Sequence, residues 1–67
     1  NLGYKELMEL IMTLPPGFRT VFNLYALEGY SHKEIGEMLG ISETTSRTQL
    51  SRARIWLQNK IKERENV

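Results

Sequence analysis

Stop and start signals fall so densely along this chain that they dictate its architecture before any other feature is consulted. The first periodic stretch covers about Tyr4 to Thr13, where Leu7, Leu10, Ile11 and Leu14 recur at helical spacing. Pro15-Pro16 ends it, because the residue before a proline is pushed out of helical backbone. Pro16 also suits the first position of a second helix, where its missing N–H costs nothing. Phe18, Val21, Phe22 and Tyr25 then build an apolar face that ends near Gly29. Ser31 followed by Glu34 is a capping-box arrangement, so a third, short helix is predicted there, with Ile35, Met38 and Leu39 as its apolar residues and Gly40 closing it. Ser42 caps again at once, and from Glu43 the pattern runs to about Lys62 with Leu50, Ala53, Leu57 and Ile61 on one side. Glu63 to Val67 are expected to fray. With no strand-like alternation and no repeat, the chain reads as all-α, a four-helix domain.

Sixty-seven residues allow one domain or part of one. With no cysteine there is no disulfide framework, and one histidine is too few for an ordinary zinc site, so stability must come from packing the 40% apolar residues together. Apolar runs fall far short of the roughly 18 residues a membrane span needs, and no basic-then-apolar leader opens the chain. No membrane association, and an intracellular, cytoplasmic location, are the expectations. The net charge of +1 hides a polarity. Residues 1–40 carry three cations against five anions, and residues 41–67 carry six against three. Such asymmetry points to a negatively charged partner at the carboxyl end.

A short helix, a turn of about three residues containing Gly, and a longer helix make the pattern of a helix-turn-helix, here over about residues 31–54. The turn is Gly40-Ile41-Ser42, with Ile41 as a plug between the helices. Gly36 costs about 1 kcal/mol against Ala inside a helix, a cost that makes sense if the next helix crosses closely over it. On the last helix Ser46, Leu50, Ala53 and Leu57 point one way at about 100° per residue. Thr44, Arg47, Thr48 and Ser51 point the other way, with Arg52 and Arg54 on the flanks. Short Thr and Ser side chains let a helix approach a major groove, Arg can bond guanine O6 and N7 together, and flanking Arg reaches phosphate. A merely solvated face would mix in Glu and Lys, yet no acidic residue stands between Glu43 and Glu63.

Other chemistries find little support. His32 has no Cys, Asp or second His at ligand spacing and reads as solvent-facing or phosphate-touching. Glu34 and Glu37 read as surface charge, and Gly29, Gly36 and Gly40 lack phosphate-loop spacing. Trp56 and Tyr30 could stack on bases, but in a chain short of core volume they read first as packing residues. No catalytic constellation, metal site or cofactor site is found, so the chain is not read as an enzyme.

The stretch LPPGFRTVFNLYALEGYSHKEIGEMLGISETTSRTQLSRAR, from Leu14 to Arg54, resembles the fourth domain of sigma-70 family transcription initiation factors, especially the extracytoplasmic-function (ECF) group. Its markers are Leu14-Pro15-Pro16, Arg19 with Val21-Phe22, Glu28-Gly29-Tyr30-Ser31, Glu34-Ile35, Leu39-Gly40-Ile41-Ser42 and Ser51-Arg52-Ala53-Arg54. The resemblance implies a four-helix domain without a wing, whose last helix reads the minus-35 element of double-stranded promoter DNA. It also implies a second surface seated on the β-subunit flap of RNA polymerase. Arg47, Thr48, Ser51 and Arg52 match positions of that family's recognition helix that face DNA. Two residues depart from the pattern: Ser46 where the family often has Val, and Thr44 where it often has Gly. The first should cost roughly 1 kcal/mol of lost apolar burial unless its hydroxyl bonds a carbonyl one turn back.

The family places a promoter-melting domain ahead of this one, so the chain is expected to be a fragment of a longer factor. Two other readings stay open. A response regulator of the quorum-sensing type shares the four-helix plan and would bind a palindrome as a dimer. A protein-interaction module, docked for example by an inhibitory anti-sigma protein, would account for Met8, Met12, Phe18 and Tyr25 if they exceed what one small core needs.

Overall fold

A computed structural model describes residues 3–65. Those residues form four helices and no strand. Helix α1 spans Tyr4–Met12 and α2 spans Pro16–Phe22, continued by a π-helical turn over Asn23–Leu27; α3 is His32–Leu39 and α4 is Glu43–Glu65.

Each boundary has a local cause. At the end of α1 the Thr13 amide and hydroxyl both donate to the Leu10 carbonyl, at 3.0 and 2.6 Å, and Arg19 reaches back to donate to the Met12 carbonyl at 3.1 Å. Carbonyls that a helix end leaves without partners are thus satisfied. Pro16 opens α2 as the spacing predicts. Its last turn widens where the Glu28 amide donates to the Asn23 carbonyl, five residues back, at 3.0 Å. Both capping-box bonds of α3 are present: the Glu34 amide donates to Ser31 Oγ at 3.1 Å, and the Ser31 amide donates to Glu34 Oε1 at 2.9 Å. Those bonds hold the exposed Glu34 carboxyl below its ordinary range. Gly40 closes α3 with a φ of 70°, backbone that a side chain would strain. Ser42 Oγ then accepts from the Thr45 amide at 3.0 Å and opens α4. That helix outruns the expected end near Lys62 and holds through Glu65, so the fraying expected over Glu63 to Val67 does not begin by then; residues 66–67 lie outside the described residues.

The core forms two adjoining clusters along α4. Leu10, Ile11 and Leu14 pack on Ala53 and Leu57, with Met8, Phe18, Trp56 and Ile61 around them. Val21 and Ile35 pack on Leu50, ringed by Leu24, Tyr25 and Ile41. Phe22 touches both clusters. Each fully buried aliphatic side chain contributes about 1.5 to 3 kcal/mol, so α4, which supplies residues to both clusters, is the spine. Trp56 is a packing residue, and its indole N–H donates to Thr13 Oγ1 at 3.1 Å.

Three apolar expectations need correction. Leu7 lies at the exposed edge of α1 while Leu10 and Ile11 take the core, because the four-residue spacing of Leu10 and Leu14 with Ile11 between them already fills the stripe facing α4. Met38 and Leu39 are 49% and 40% exposed, because α3 presents Ile35 and Gly36 to its neighbours and turns its last two apolar residues outward. Tyr30 also stands at the surface, at the tip of the loop between α2 and α3, rather than in the core.

Candidate nucleic-acid interface

The crossing of α3 and α4 is set by atoms too close to admit a side chain. A methyl carbon at Gly36 would sit 2.7 Å from the Ile41 carbonyl oxygen, and the Glu43 amide and Ser42 carbonyl carbon lie just beyond at 3.5 Å. The turn backbone therefore rests on the bare face of α3. Ile41 is half-buried against the Val21, Ile35 and Leu50 cluster. With Leu50 at 3% exposure facing inward, the rotation of α4 about its axis is fixed.

That rotation decides what faces out. Thr44, Arg47, Thr48, Ser51, Arg52 and Arg54 are all exposed, while Ser46, Leu50, Ala53 and Leu57 are all buried. Arg47 is ion-paired with Glu43 one turn earlier, both side chains standing about half in solvent. A pair so exposed contributes at most about 1 kcal/mol and is easily exchanged for another anion. Ile55, 57% exposed, shares this outer face. Its 100° spacing places it between Thr48 and Ser51 in projection, where a lone apolar residue gives no signal among cationic and hydroxyl side chains.

Ser46 and His32 sit differently from expectation. Ser46 is wholly buried, and its hydroxyl does not bond a carbonyl one turn back. It meets His32 Nδ1 at 2.8 Å, across the helix pair. The imidazole in turn stacks on the Tyr25 ring, with centroids 4.4 Å apart and planes 13° from parallel. His32 is thus half-buried with its Nδ1 engaged, rather than simply solvent-facing. Its pKa is lowered by burial first, then by the Arg47 guanidinium, against a smaller raising effect of Glu43 and with a further lowering by Arg54. An open hollow beside the ring is lined by Tyr25, Tyr30, Lys33, Glu34, Glu43 and Arg47.

No group of three His, Cys, Asp or Glu among the described residues could hold a metal ion, and no described helix is long and apolar enough to cross a membrane.

A protein-family comparison matches residues 4–57 to the model described as Sigma-70, region 4. The chain belongs to the sigma-70 region 4 family. As a region 4 domain it is also 33% identical, over 57 residues, to the probable RNA polymerase sigma factor RfaY of Xanthomonas campestris pv. campestris. The aligned part is 85% of this region 4 domain but 14% of that protein, so the chain spans about a seventh of its relative's length. No solved structure matches it. Of the readings left open by the sequence, the region 4 match favours the sigma factor over the response regulator.

Proposed function

We propose that this chain is the promoter-reading, non-enzymatic DNA-binding domain of a longer ECF-type sigma factor, with the helix-turn-helix over about residues 31–54. In this reading α4 lies in the major groove at the minus-35 element and acts with RNA polymerase in the bacterial cytoplasm. One observation carries the reading: the cationic, hydroxyl-bearing side of α4 is open to solvent along its first three turns, while its reverse is sealed in the core. Arg47 and Arg52 are the base-reading candidates, Thr44, Thr48 and Ser51 allow close approach, and Arg54 reaches backbone phosphate.

Replacing Arg47 or Arg52 by Ala in the full factor should weaken promoter binding by about 1 to 3 kcal/mol and relax preference at one base pair. Binding-site selection with each variant checks this. If both variants select the same promoters with the same affinity as the parent, the assignment of this face is wrong.

Exposed Leu27, Met38 and Leu39 support a second surface for the polymerase β flap, which an inhibitory anti-sigma protein could also cover. Leu39→Ser should lower polymerase-dependent promoter occupancy and leave duplex binding by this chain alone unchanged. Equal loss in both assays would place Leu39 in the fold rather than in docking.

A further inference from the structure

Ser46 has no access to solvent, and its hydroxyl hydrogen finds one acceptor among the described residues, the Nδ1 atom of His32. A buried hydroxyl without a partner is costly, so the hydrogen belongs on that contact. The ring proton is then on Nε2, and the Tyr25 stack restrains the imidazole from turning Nδ1 away. His32 opens α3 and Ser46 lies on the inner face of α4, between the exposed Thr45 and Arg47. The bond therefore joins the first turn of one helix directly to the reading segment of the other.

We propose that His32 and Ser46 form a proton-sensitive brace that positions the first turns of α4 for DNA only while the imidazole is neutral. The functional half of this inference rests on the promoter-reading proposal above. Protonation places a hydrogen on Nδ1, so two donors meet. Ser46 can then only accept, and its own hydrogen loses its partner in a site closed to water. The charges around the ring act in the same direction on balance. Arg47 and Arg54 of α4 repel an imidazolium; Glu43 of α4 attracts it less strongly. The rest of the hollow supplies the Tyr25 and Tyr30 rings together with Lys33 and Glu34 of α3. Acid thus releases the brace, and the segment carrying Arg47, Thr48 and Ser51 loses its fixed relation to α3. His32 is the only histidine, so between about pH 5 and 8 it is the one side chain with an unperturbed titration range to observe.

The test combines two readouts on this chain. In nitrogen NMR of the imidazole, Nδ1 should be unprotonated at neutral pH and the ring should titrate below 6.5. The amides of Arg47, Thr48 and Ser51 should shift with the same midpoint, and in Ser46→Ala that shared movement should vanish. A ring protonated on Nδ1 at neutral pH, or α4 amides that ignore its titration, would overturn the brace whether or not DNA binds. The second readout is affinity for a promoter duplex at constant salt. It should fall about fivefold as pH drops through the His32 midpoint, the effect of one lost hydrogen bond. His32→Asn, whose Oδ1 stands at the same bond distance from the backbone as Nδ1 and so keeps an acceptor for Ser46 but cannot titrate, should be flat across the same range. Affinity that rises in acid would make His32 a cationic phosphate contact and refute the positioning role. Absence of duplex binding at every pH would instead sink the promoter-reading proposal, and the amide titration would still decide the brace.

Discussion

A methyl group at Gly36 would meet the Ile41 carbonyl oxygen at 2.7 Å, and that oxygen is backbone, which cannot swing aside. Gly36→Ala gains about 1 kcal/mol of helix propensity but must push α4 off α3, so a net loss of about 1 to 3 kcal/mol is expected, read from denaturant midpoints. The need for this glycine was legible from its helix-breaking cost alone. The Ser46 contact was not, because a serine one turn from its own carbonyls gives no sign that a histidine fourteen residues earlier will reach it. The surface charges carry their own tests. Glu43→Gln removes the anion that holds Arg47, so non-specific duplex binding should tighten and promoter discrimination narrow, measurable by competition between promoter and random DNA. Glu34 has a depressed carboxyl pKa in the folded chain because of its Ser31 bonds. The folded carboxylate resists protonation, so its contribution to stability is complete above the unfolded value of 4.5 and fades as pH falls through the lower folded one. Acid titration of thermal stability should show this loss, and Ser31→Ala should abolish it.

At the scale of elements, four helices and their order were readable because each boundary is written in local chemistry: Pro15-Pro16, the Ser31 and Glu34 box, and Gly40 before Ser42. The π-helical turn at Asn23–Leu27 was not, since neither proline nor glycine marks it and its defining bond, Glu28 to Asn23, depends on how Tyr25 and Leu24 pack. Helix faces were legible where a long periodic run fixes them, as in α4. They were ambiguous in α3, whose eight residues are too few to distinguish Ile35 with Gly36 from Ile35 with Met38 and Leu39 as the inward side. Leu50 is the side chain that fixes the rotation of α4 about its axis. Leu50→Ala should cost about 2 to 5 kcal/mol, against a total of roughly 3 to 10 for a domain of this size. Circular dichroism during denaturation should show a chain near its folding limit at room temperature.

The whole molecule is elongated, about 40 by 18 by 16 Å, because α4 runs the length of it and the other helices line its flank. The exposed arginines proposed to face the duplex, Arg47, Arg52 and Arg54, lie on the first half of α4, so binding should be weak and strongly salt-dependent. If Arg47, Arg52 and Arg54 displace about three counterions, affinity should fall roughly 40-fold between about 50 and 200 mM salt. A slope near zero in a salt titration would mean that these arginines do not meet phosphate. The two clusters have a mechanical corollary. Of the described side chains, Phe22 alone packs on both, while α2 as a whole reaches one through Phe18 and the other through Val21, so a tug on α1 reaches α3 along two parallel shafts, α4 and α2. Trim the Phe22 ring and the second shaft slackens, leaving the two ends of the domain freer to loosen on separate schedules.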